Sequence, residues 1–201
     1  KTFTILQFTD THYGEDHNKD VNTTRIQIDM INHVKPDLVI VTGDAVSGDK
    51  WDKTKDFYLR NWKAWTTAMT ETKTLYAYTL GNHDDEADMN RNDIVDLDQS
   101  NEFSLTQKSV SITGATNYYL PILSSESDKP ASFLWFLDSM DNGCLDEKDG
   151  WGCIAKDQVE WYKDTSNLLK SEYGTKTSLA FFHIPLQEYM LMYNEEPVYG
   201  L

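Results

Sequence analysis

Short apolar runs recur along the chain at Phe3 to Thr9, Leu38 to Thr42, Leu75 to Leu80 and Leu179 to Phe182. Each has strand length and is bounded by polar turn residues, which reads as a buried β-strand. Between the first two, Thr23 to Val34 sets Ile26, Met30, Ile31 and Val34 at helical spacing, and Pro36 ends the pattern. Strand, helix and strand in that order predict a βαβ unit with parallel strands and a right-handed crossover. Trp51 to Met69 predicts a second helix whose Phe57, Trp62, Trp65 and Met69 share one apolar face, a core face by its width.

Beyond the third run the character changes. Residues 85–102 carry Asp85, Glu86, Asp88, Asp93, Asp96, Asp98 and Glu102. With no glycine at the centre of the aspartates this is not a calcium loop, and a solvated helix or face is expected. Ser109 to Ile112, Tyr118 to Leu123 and Phe133 to Leu137 then read as strands, antiparallel in part. Asp157 to Glu172 reads as a helix carrying Val159, Trp161, Tyr162, Leu168 and Leu169, with Gly174 as its stop. Neither a repeat nor a linker divides the 201 residues, so one α/β domain over 1–201 is expected.

Composition narrows the function. The net charge of −15 comes without a Lys or Arg cluster, which argues against nucleic acid as a partner. No apolar stretch is long enough to span a membrane. The chain begins at Lys1 rather than Met, and a processed or trimmed start is expected. Its two cysteines, Cys144 and Cys153, lie in a loop rich in Gly and Asp, compatible with a local disulfide in an oxidising compartment or with two surface thiols. Asn22-Thr23-Thr24 is a glycosylation sequon. Together these favour a secreted or endomembrane (lysosomal) location, with the cytoplasm as the alternative.

The chemistry is concentrated where the apolar runs stop. Asp10-Thr11-His12, Gly43-Asp44, Gly81-Asn82-His83-Asp84 and His183 each follow one of the four runs. In open α/β sheets ligands bind at the carboxyl ends of the strands. Carboxylates suit hard cations and imidazole suits Zn, Fe and Mn. A carboxylate such as Asp44 has two oxygens and can bridge two cations, and Asn82 adds a neutral oxygen. Taken singly, each residue reads as well as a cap, a turn former or a hydrogen-bonded histidine. Four such pieces in this order do not.

The ordered set Asp10-Thr11-His12-Tyr13-Gly14, Thr42-Gly43-Asp44, Gly81-Asn82-His83-Asp84 and Phe182-His183-Ile184-Pro185 resembles the calcineurin-like metallophosphoesterases, most of all their purple-acid-phosphatase-related branch. The resemblance covers nearly the whole chain. It implies an α/β/β/α sandwich of two mixed sheets flanked by helices, holding two divalent or trivalent metal ions (Fe, Mn or Zn). It assigns Asp10 and His12 to the first metal, Asp44 to both, and Asn82 and His183 to the second. His83 becomes the catalytic acid, with Asp84 its expected partner. The implied substrate is a phosphate ester, a monoester first and a diester or nucleotide as the alternative. Two features depart from the pattern. The family's closing Gly-His-x-His motif is not found in these residues, so the site is expected to be short of two ligands, which keeps open a catalytically inactive binding scaffold. Ser47 stands where purple acid phosphatases carry a metal-bound tyrosine.

Overall fold

The chain opens with the expected strand–helix–strand unit. β1 (Ile5–Phe8), α1 (His17–Val34) and β2 (Leu38–Val41) are followed by α2 (Phe57–Thr72) and β3 (Tyr76–Tyr78). The three strands form one sheet in the order β1-β2-β3, parallel throughout, with Ile5 opposite Leu38 and Val39 opposite Tyr76. Next come α3 (Arg91–Asp98), β4 (Tyr118–Leu123), β5 (Pro130–Phe136), a hairpin of β6 (Asn142–Cys144) and β7 (Glu147–Trp151), α4 (Lys156–Tyr173), β8 (Thr177–Phe181) and α5 (Gln187–Asn194). The second sheet has the order β4-β5-β8 and is mixed, since β5 pairs antiparallel with β4 and parallel with β8. This computed structural model describes residues 2–144 and 147–194.

Alternation along the strands sets the layers, because successive side chains leave a strand on opposite faces. On β2, Val39 and Val41 join the cluster made with Ile31 of α1 and Trp62, Trp65 and Met69 of α2. Leu38 and Ile40 face the other way, with Ala77, and meet Tyr118, Leu134 and Phe136 of the second sheet. On β5 the alternate residues Phe133 and Trp135 pack against Leu169 and Trp161 of α4. The result is the expected helix–sheet–sheet–helix sandwich.

Several boundaries differ from the sequence reading for local reasons. α1 starts at His17 rather than Thr23, because the Asp16 carboxylate accepts the Lys19 amide as an N-cap. His17 is therefore the first residue of the helix. α2 starts at Phe57 rather than Trp51, and its first amides, those of Phe57 and Tyr58, donate to the distant Asp88 carboxylate at 3.0 and 2.8 Å. Ser109 to Ile112 is not a strand, and Val110 there is 81% exposed. β8 is present but not buried, with Leu179 exposed at the edge of its sheet.

The acidic stretch is not simply solvated. Asp98 is fully buried and accepts from Trp62 Nε1, Tyr76 Oη and Ser104 Oγ at 3.0, 2.7 and 2.7 Å. Cys144 and Cys153 are joined as a disulfide that clasps the β6–β7 hairpin.

Candidate metal centre

Three turns leave the carboxyl ends of β1, β2 and β3 side by side. The Asp10 amide donates to the Gly43 carbonyl at 3.1 Å, and the His12 amide to the Asp44 carbonyl at 3.0 Å. The turns touch so closely that a Cβ on Gly81 would fall 2.2 Å from Asp44 Oδ1, and one on Gly43 would fall 2.6 Å from Gly81 Cα. Only glycine fits at either position. Asp10, His12 and Asp44 adopt left-handed backbone angles, with φ of 52°, 50° and 50°. Such residues cost about 1–3 kcal/mol each and cluster at functional sites. Here they aim three side chains from two neighbouring turns at one spot.

Ligand atoms of Asp10, His12 and Asp44 lie within 4.8 Å of one another. Asp44 is buried. Burial would raise its carboxyl, but the His183 ring and the His83 amide, which donates at 2.9 Å, outweigh it and hold Asp44 below the usual carboxylate value. From the second sheet, the segment after β8 brings in His183. Its Nδ1 meets the Thr42 carbonyl at 2.8 Å, so Nδ1 must carry the proton. Nε2 then faces Asn82 Oδ1 at 2.9 Å and Asp44 Oδ2 at 3.3 Å. Oxygen and nitrogen lone pairs converging in this way call for a cation, and the donor set fits divalent metal ions.

In the metal-free chain a proton fills that place. Burial works against the imidazolium, yet Asp44 and the Thr42 carbonyl raise His183 to about 9. Its folded pKa is therefore above the unfolded value of about 6.5. The resulting stability is complete below about pH 6.5 and is lost as the pH rises through about 9, a change of roughly 2–3 kcal/mol. Urea midpoints of the chelated chain should fall over this window, and those of His183→Ala should stay flat by comparison. Parallel profiles for the two would contradict the assignment.

His83 lies beside the first group, its ring centroid 5.7 Å from that of His12. Its carboxylate partner is not Asp84. His83 Nδ1 meets Glu86 Oε2 at 2.6 Å. Burial disfavours the imidazolium, but Glu86 and Asp44 prevail and raise His83 above the ordinary value. Asp84 instead points inward, is fully buried, and accepts the amides of Asp44, Ala45, Val46 and Gly81. Adjacent residues in a turn send their side chains apart, which the expectation of a His83–Asp84 pair overlooked. Glu86 was hidden in the acidic run, where nothing distinguished it except its place three residues after His83. Also unforeseen was Arg91 of α3, which donates to the Gly81 carbonyl at 2.9 Å and clamps Asp138.

A model of the calcineurin-like phosphoesterase domain matches residues 3–200. The chain belongs to the calcineurin-like phosphoesterase family. "Probable inactive purple acid phosphatase 29" of Arabidopsis thaliana is 32% identical to it, covering 94% of this chain and 55% of that protein. "Phosphatase DCR2" of Saccharomyces cerevisiae is 28% identical, covering 94% of this chain and 35% of its own. The chain thus spans about half, or less, of the length of these relatives. Among solved structures, a dimetal phosphatase from Danio rerio superposes with a TM-score of 0.61 at 14% identity, over 91% of this chain and 70% of that one, which supports the shared sandwich fold. Within this calcineurin-like phosphoesterase, Asp10, His12, Asp44 and Asn82 follow the carboxyl ends of the first sheet's strands, and His183 reaches them from the second sheet.

Proposed function

We propose that this calcineurin-like phosphoesterase hydrolyses phosphomonoesters at a two-metal centre. The observation that carries the reading is the convergence of Asp10, His12 and Asp44 with Asn82 and His183 around a buried carboxylate, with His83 at its rim. Two divalent cations in such a site supply Lewis-acid activation of water and neutralise charge on phosphoryl oxygens. Asp10 and His12 would hold one, Asn82 and His183 the other, and Asp44 both. His83 stands ready to give a proton to the departing alkoxide, and Glu86 holds its ring. The disulfide and the exposed Asn22 sequon on α1 support a secretory compartment, and no helix among the described residues is long and apolar enough to cross a membrane.

A second reading is favoured by the printed names of the Arabidopsis relatives, which call them probable inactive. In it the fold is a binding scaffold. Hydrolysis of aryl and alkyl phosphates with added Mn²⁺ separates the two. Turnover that falls to the blank in Asp44→Asn is expected. His83→Ala should slow alkyl phosphates by about 10²-fold or more and activated aryl phosphates far less. Equal slowing of both would remove His83 from the acid role. No turnover by a chain that binds metal would favour the scaffold.

A further inference from the structure

His12 makes a contact that no metal-ligand assignment requires. Its Nδ1 lies 2.7 Å from Ser47 Oγ, and Ser47 Oγ lies 3.1 Å from Glu15 Oε1. Glu15 itself is too far from the ring for a hydrogen bond, at 3.6 Å from Nδ1. The serine bridges that gap. It is completely buried, and its own amide donates to the Tyr13 carbonyl at 2.9 Å beside the Tyr13–Val46 bridge, so the hydroxyl is held next to His12.

Counting protons decides the direction of this chain. A carboxylate only accepts, so the single hydroxyl proton of Ser47 must point to Glu15. Ser47 can then only accept from the ring, and the proton of neutral His12 sits on Nδ1. In the opposite tautomer Ser47 would turn its proton to the ring. The Ser47 and Glu15 oxygens would then face each other at 3.1 Å with no hydrogen between them. With Nδ1 protonated, the Nε2 lone pair is free, and that atom faces Asp44 Oδ2 at 3.7 Å and Asp10 Oδ1 at 4.0 Å. Metal-ligating histidines depend on just such a bond at the other ring nitrogen for their tautomer and orientation.

We propose that Ser47 and Glu15 are positioning residues for His12, fixing its imidazole in the Nδ1–H form so that Nε2 is always presented to a cation between Asp10 and Asp44. This rests on the two-metal reading above and adds two residues to it. Neither would touch the metal or the substrate.

The test uses the 201-residue chain with ¹⁵N-labelled histidine, stripped of metal by a chelator. Long-range ¹H–¹⁵N spectra should give His12 as the Nδ1–H tautomer, and Ser47→Ala should lose that preference. In calorimetric titration with Zn²⁺, the binding step abolished by Asp10→Asn should weaken about 10–100-fold in Ser47→Ala. Glu15→Ala, at an exposed position, should shift both readouts in the same direction, and it decides the matter if Ser47→Ala does not fold. A tautomer that stays unchanged, or a Zn²⁺ affinity within twofold of the parent, would overturn the proposal while leaving the two-metal reading intact. A parent chain with no Zn²⁺ step sensitive to Asp10→Asn would bring down the two-metal reading, and this role with it.

Discussion

Replacing Asp84 with alanine should cost this protein most of its folding stability. The carboxylate is fully buried and accepts the amides of Asp44, Ala45, Val46 and Gly81 at 2.9, 3.0, 3.1 and 2.7 Å. Burial and the nearby Asp44 charge push its pKa up, and the amide bonds oppose them. Truncation would strand these donors in a place too tightly packed to reorganise, since Gly81 and Asp44 already touch. An unsatisfied buried group costs about 1–3 kcal/mol, so a loss of at least about 4 kcal/mol is expected against a typical total of about 5–15 kcal/mol. Asp84→Asn keeps one accepting oxygen and should lose about half as much. Urea unfolding of chelated protein measures both. A change under about 1 kcal/mol in Asp84→Ala would show that the amides find other partners.

Arg91→Met should be nearly as damaging. Arg91 donates to both oxygens of Asp138, at 3.2 and 2.5 Å, and through its remaining nitrogen to the Gly81 carbonyl and Asp85. Asp138 is completely buried, and among the described residues its other side-chain donors are the amides of Ala115, Thr116 and Met140. Removing one partner of a buried ion pair leaves an uncompensated charge and costs about 3–5 kcal/mol. Neutralising the other partner should recover part of this, so Arg91→Met with Asp138→Asn should fall short of the sum of the single losses by about 1–3 kcal/mol. Strict additivity in a double-mutant cycle would mean that the pair is not coupled.

Arg91 lay outside what the sequence made legible, and Asp84 was singled out there for a different role, as the partner of His83 rather than the acceptor that ties the turns together. The candidate ligands could be picked out because metal chemistry restricts residue type and strand ends restrict position, so Asp10, His12, Asp44, Asn82 and His183 stood out together. The strands of the first sheet could be read because both its faces are covered and the apolar runs are continuous. What escaped depended on the third dimension. Asp88 caps α2 from 31 residues away, so the helix start carried no local signal. Asp98 looked like one more solvated acid, and only the arrival of Trp62, Tyr76 and Ser104 makes its burial tolerable. Ser109 to Ile112 had the alternation of a strand but pairs with no strand among the described residues. Glu86 and Ser47 are ordinary polar residues until the two histidines are brought against them.

The two candidate ligand groups draw on very different lengths of polypeptide. Asp10, His12 and Asp44 all belong to the first 44 residues and close with the first βαβ unit. The other group waits for His183, which meets Thr42 across 141 positions. Contacts of such long separation form late in folding. The Asp10, His12 and Asp44 group can therefore come together before His183 reaches Asn82 and Asp44, so the candidate site is joined in two stages, a local one and one that needs the two sheets to meet.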